Sequence, residues 1–174
     1  KSAAADHGLL TSFIISTNFY MDWKEQFHTM MPLLGHRNWI VVTDMAYPLQ
    51  TNPGVLTLDA TADDFPTVLR TIRGELDSAS HVVAHVYRDS EQLRLDERLC
   101  PGITSYRAGV DEVIGGYGAI KNLGHEDLIL RLDEVSRLYR VVVIKSGLTI
   151  PYTSLFFELD CRYWDADREA AIRS

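Results

Sequence analysis

Cysteine is scarce: only Cys100 and Cys161 occur in 174 residues. A disulfide-stapled mini-protein is therefore excluded, and no Cys-x-x-Cys or other zinc-type spacing exists. Two such residues in a chain this long read as reduced, partly buried thiols more readily than as a bridge. Long apolar runs are absent too. The longest, such as residues 141–144, fall far short of a bilayer span. Basic runs are missing: 17 Lys and Arg stand against 24 Asp and Glu, for a net charge of −7. An acidic chain without a basic stripe is a poor partner for a phosphate backbone, so nucleic acid is not expected. No internal repeat, low-complexity stretch or Ser/Gly linker divides the sequence. The chain begins Lys-Ser-Ala-Ala-Ala-Asp with no visible signal-peptide h-region, and the expectation is a cytoplasmic protein.

What is present reads as one globular domain, with 46% hydrophobic and 24% charged residues. Residues 1–16 look like a loosely specified arm, 17–164 like the domain, and 165–174 like a charged tail. Asp22 is a good N-cap for a helix carrying Trp23, Phe27, Met30 and Leu34, which Pro32 should kink or end and Gly35 stop. Trp39–Thr43 is a short continuous apolar run, the mark of a strand buried on both faces. Val55–Ala60 is a second strand. Asp63 or Asp64 opens a helix with Phe65, Val68, Leu69 and Ile72 on its apolar face, stopped at Gly74. A third strand follows over 81–87, then a helix over 90–99. Glycines crowd residues 104–124, which read as a mobile surface insertion. A helix over 126–139, a central strand over 140–145 and a last strand over 154–160 complete the chain. Alternating strands and helices predict an α/β layered domain with a largely parallel central sheet flanked by helices.

Two short constellations carry chemistry. In the first, Leu34-Gly35-His36 precedes the apolar strand, and Asp44-Met45-Ala46-Tyr47-Pro48 follows it. The His36 imidazole titrates near ~6.5, so it can give and take a proton at neutral pH. Asp44 stands at a strand's carboxyl end, where α/β sheets place ligands. The strand between them spans roughly 20 Å at ~3.3 Å per residue, so the two serve one site only across neighbouring subunits, or else play separate roles. By pattern alone, a His before a strand is first a turn residue and an Asp after one is first a loop cap. The second constellation is Ser146-Gly147-Leu148-Thr149-Ile150-Pro151-Tyr152. Gly147 permits a turn, and Pro151 fixes the approach to Tyr152. Ser154, two residues on, shares the face of Tyr152. A packed tyrosine in a crossover loop is the plainer reading of that segment.

Taken in order and spacing, the two constellations resemble the D-ribose pyranase / L-fucose mutarotase family, across about residues 22–160. The Leu-Gly-His opening, the apolar strand and the Asp-x-x-x-Pro of that family recur at residues 34–48. The Ser-Gly-x-x-x-Pro-Tyr of its pyranase branch recurs at residues 146–152. The resemblance implies an isomerase that interconverts anomers or ring forms of a monosaccharide, fucose- or ribose-like, without cofactor or metal. It also implies a ring-like homo-oligomer with sites at subunit contacts. His36, Asp44 and Tyr152 would be the catalytic residues. Arg131, Ser154 and Asn38 would contact substrate, with His125 competing for the place of Arg131. Two positions depart from the family pattern: Asn38 stands where an acidic residue is common, and Ser154 where an asparagine is. A non-catalytic sugar-binding or assembly protein on the same fold is the alternative reading, and an isomerase or lyase acting on another carbonyl compound is a third.

Overall fold

The computed structural model describes residues 21–173; the expected arm over residues 1–16 lies outside them. The Asp22 side chain accepts from the Glu25 N–H at 2.8 Å and opens α1 (Trp23–Met30), which buries Trp23 and Phe27. Pro32 follows in a single 3-10 turn, Met31–Leu33. Strand β1 (Trp39–Thr43) is buried at all five positions. Strand β2 (Val55–Ala60) leads to α2 (Phe65–Ser78), whose N-cap Asp64 accepts from the Thr67 N–H at 2.7 Å. Gly74 does not stop that helix. A mid-helix glycine costs about 1 kcal/mol relative to alanine, and burial of Ile72 and Leu76 on either side outweighs it.

Strand β3 (Val82–Asp89) runs into a 3-10 turn, Ser90–Arg94, in place of the helix expected over 90–99. The glycine-rich stretch is not a surface insertion. Residues Ile103–Ile114 form α3, which buries Ile103, Tyr106, Val110, Val113 and Ile114 in the main core. The crowded glycines hid a helical spacing of apolar residues. Strand β4 (Lys121–Leu123), α4 (His125–Val135), β5 (Val141–Ser146) and β6 (Leu155–Cys161) follow. The charged tail forms α5 (Ala166–Arg173), which buries no residue. Both cysteines are unpaired. Among the described residues no helix is long and apolar enough to cross a membrane.

The six strands make one sheet, ordered β2-β5-β1-β6-β3-β4. Strand β5 is parallel to β1 and β2, and β4 is parallel to β3. Strand β6 alone runs against its neighbours β1 and β3. Five strands thus share a direction, the largely parallel sheet expected of the sequence. Alternation then divides the core. Ile40, Val42, Val142 and Ile144 face the large cluster under α1, α2 and α3, while Trp39, Val41, Val141 and Val143 face a smaller one under α4. The molecule is a single α/β domain. Its carboxyl edge gathers the ends of β1, β3, β4 and β5 and the start of β6.

Candidate active site

That carboxyl edge holds a cavity of about 430 Å³, lined among others by Asp44, Asp89, His125, Glu126, Tyr152 and Ser154. Open α/β sheets bind ligands at this edge because the loops there diverge and leave a crevice. Each lining group arrives for a local reason. Asp44 follows β1 and caps its own turn, Oδ1 accepting from the Ala46 N–H at 2.8 Å. Ser154 precedes β6; its Oγ lies 2.7 Å from Thr43 Oγ1 in a buried contact, and Ser146 Oγ donates to the Thr43 carbonyl at 2.9 Å. These hydroxyls lock the β1, β5 and β6 ends together.

Tyr152 sits at φ 57°, in the left-handed region. A bulky residue held there costs of order 1–3 kcal/mol, and such strain collects at functional positions. The preceding loop is tight: a Cβ on Gly147 would stand 2.7 Å from the Thr61 carbonyl oxygen. The Tyr152 side chain meets the His125 ring edge-on, with centroids 5.4 Å apart and planes at 86°.

His125 is held twice from the end of β3. Its backbone N–H donates to the Glu91 carboxylate at 3.1 and 3.3 Å, which caps α4 where Gly124 has no side chain to do so. Its ring Nδ1 lies 3.1 Å from Asp89 Oδ1. An ionised carboxylate only accepts, so Nδ1 carries the hydrogen and Nε2 is left with its lone pair. Among the described residues Nε2 has no hydrogen-bond partner. Asp89 is fully buried, and its Oδ2 is unpartnered. Burial pushes its carboxyl above the usual range; His125 pulls it down, while Glu91 and Asp44 push it up. A buried carboxylate orienting an imidazole toward a cavity is an acid–base arrangement. Tyr47 also lines the cavity, and burial raises its phenol to about 12.

The sequence-chosen residues divide between the two sheet edges. Asp44, Tyr152 and Ser154 meet at the carboxyl edge; His36 and Asn38 stand at the amino edge, one β1 length away, roughly 17 Å at 3.3 Å per residue. Both His36 nitrogens are engaged: Nδ1 with Asp160 Oδ1 at 2.8 Å, and Nε2 accepting from Arg37 Nε at 3.2 Å. His85 Nε2 reaches the other Asp160 oxygen at 3.3 Å. Burial works to raise Asp160, but the Cys161 N–H, His85 and His36 outweigh it and hold the carboxyl below its usual range. Asn38 pins its turn, accepting from the Gly35 N–H at 2.7 Å and donating to the Arg140 carbonyl at 3.1 Å. Arg131 lies over the Tyr87 ring, 5.6 Å from its centroid, and does not line the cavity.

His125 was only the competitor in the sequence, and Asp89 was missed. One signal was available: Asp89 ends an apolar strand as Asp44 does. Among the described residues no group of three or more His, Cys, Asp or Glu is placed to hold a metal ion.

The model of the RbsD / FucU transport protein family matches residues 24–160. Among solved structures, Bacillus subtilis RbsD complexed with D-ribose superposes with a TM-score of 0.56 at 17% identity, covering 78% of this chain and 91% of that one. The fucose mutarotase of Streptococcus pneumoniae in complex with L-fucose gives 0.54 at 19%, covering 78% and 91%. FucU from Bifidobacterium longum gives 0.55 at 15%, covering 78% and 92%. These likenesses concern the fold. No curated protein is significantly similar in sequence.

Proposed function

The chain belongs to the RbsD / FucU transport protein family, and from that footing we propose that it binds a monosaccharide in the carboxyl-edge cavity and interconverts its anomers or ring forms by acid–base catalysis. The observation that carries this reading is the Asp89–His125 pair beside Tyr152 at the cavity wall. Opening a cyclic hemiacetal requires a proton delivered to the ring oxygen and another removed from the anomeric hydroxyl. The open-chain carbonyl then closes on its other face, or through a different hydroxyl. In this proposal His125 Nε2 exchanges the proton, the Asp89 carboxylate stabilises the imidazolium, and the Tyr152 phenol assists at the second oxygen. Asp44 binds a sugar hydroxyl, and Ser154 lies beneath. A positioned acid–base group contributes ~10²–10⁴-fold, which suffices for a reaction that already proceeds in water.

His36 enters this proposal only through assembly. It stands at the far end of β1, so it meets a sugar in this cavity when a second copy supplies it, as in the expected homo-oligomer with sites at subunit contacts. A second reading, binding without turnover, is favoured by Ser154, whose hydroxyl is already engaged with Thr43. Saturation-transfer NMR on a panel of pentoses and 6-deoxyhexoses tests both. Faster anomer or ring-form exchange supports the enzyme; saturable binding with exchange at the buffer rate supports the binder and overturns the catalytic reading.

A further inference from the structure

Four buried side-chain polar atoms have no hydrogen-bond partner among the described residues: Asp89 Oδ2, Gln92 Nε2, Gln92 Oε1 and Arg107 Nε. Such orphans are rare in a folded chain, because each carries the desolvation of a polar group with nothing in return. Here they are gathered in one place. Asp89 stands at the head of the 3-10 turn Ser90–Arg94 without a side-chain bond capping it, and Gln92 lies three residues on. Side chains three apart in a 3-10 turn eclipse one another. Arg107 comes from α3, and its Nη2 donates to the Gln92 and Leu95 carbonyls, which sets the guanidinium against the same turn. The buried Tyr106 phenol, one residue earlier, feels the Gln92 amide and the charges of Asp89 and Arg107. The four atoms are also complementary. The Arg107 Nε–H and the Gln92 amide nitrogen donate, while Gln92 Oε1 and Asp89 Oδ2 accept. All four are closed to solvent, so a sugar in the cavity serves none of them. Gln92 does not line that cavity.

We propose that Gln92 is a positioning residue of the acid–base pair: its amide nitrogen donates to Asp89 Oδ2 while its Oε1 accepts from the Arg107 Nε–H. The proposal rests on the reading of Asp89 and His125 as that pair. Rotation about the Gln92 side chain's own bonds closes both contacts, and the guanidinium, already fixed by two carbonyls, sets which way the amide faces. Asp89 is then held at both oxygens, by the His125 ring at one and by Gln92 at the other. A carboxylate fixed at both oxygens cannot turn away from the imidazole it orients.

Two measurements test this. In an atomic-resolution crystal structure of the wild-type protein, Gln92 Nε2 stands about 2.7–3.2 Å from Asp89 Oδ2; a separation above about 3.5 Å overturns the proposal. The second measurement is Q92M, which keeps an unbranched, flexible side chain and removes both polar ends. Losing a hydrogen bond to a charged group corresponds to about tenfold or more, so kcat for anomer exchange by saturation-transfer NMR falls by about that factor. KM is unchanged, because Gln92 does not line the cavity. In a D89N background, where no charge remains to be held, Q92M leaves kcat unchanged. A raised KM with unchanged kcat, or the same loss of kcat in D89N, marks Gln92 as general packing and overturns the proposal. Where the wild type shows exchange at the buffer rate, or Q92M does not fold, the crystal distance alone decides; the first of these results also overturns the mutarotase reading.

Discussion

Replacing Asp89 with asparagine separates the catalytic role of this carboxylate from its effect on stability, because the two move in opposite directions. The amide oxygen of D89N can still accept from His125 Nδ1–H, so the ring keeps its tautomer. What disappears is the negative charge 3.1 Å from the imidazole. A hydrogen bond to a charged group contributes about 1.5–3 kcal/mol, and 1.4 kcal/mol is a tenfold factor. If that charge stabilises the imidazolium formed during proton transfer, D89N loses about ten- to a hundredfold in kcat/KM, measured as exchange rate by saturation-transfer NMR. Stability moves the other way. Burial raises the Asp89 carboxyl above its ordinary value. The folded chain therefore holds a proton the unfolded chain has lost in the window between the two values. Unfolding free energy falls as pH rises through that window and stays lower above it. D89N removes this penalty, so it melts higher than the wild type at neutral pH and loses that part of the pH dependence. Wild-type exchange in D89N refutes the orienting role, and a lower melting temperature at neutral pH refutes the buried-charge argument.

Acid should destabilise the protein by the opposite linkage. Asp64 is held low by the Thr67 side chain and N–H, and Glu97 by the Gly102 and Thr104 N–H groups. Their contribution is present above the ordinary carboxylate range near pH 4 and is lost as pH falls through the lowered folded values. Urea midpoints should drop below about pH 4, and midpoints constant down to pH 2 would contradict this assignment. At the loop before Tyr152, G147A forces a Cβ to 2.7 Å from the Thr61 carbonyl oxygen. It should cost about 1–3 kcal/mol in urea unfolding, with a raised KM for sugar. An unchanged midpoint would show that the loop relaxes freely. H36A should lower exchange only where the protein is oligomeric by light scattering; a loss in a monomeric sample contradicts its supply by a second copy.

Much of the frame was legible because single residues decide it. Trp39–Thr43 has no polar interruption before Thr43, so it had to be a central strand, and Asp22 and Asp64 announce two helices by their caps. Helix α3 was not legible: Gly109, Gly115, Gly116 and Gly118 mask apolar positions that recur at helical spacing from Ile103 to Ile114. Of the site, the residues at strand ends were legible, since Asp44 and Tyr152 border apolar runs. The Asp89–His125 pair was not, because it joins residues 36 apart in sequence through the pairing of β3 with the three-residue β4. A strand that short carries no periodicity to read. His36 is expected at a site shared between subunits; within one chain both of its ring nitrogens are engaged at the opposite sheet edge.

In the proposed mechanism the His125 imidazole is the group that moves the proton. Measuring sugar anomer exchange for H125A against wild type, with circular dichroism to show that the fold is kept, tests this most directly. A loss of ~10²–10⁴-fold is the predicted result; wild-type exchange in a folded H125A protein contradicts it.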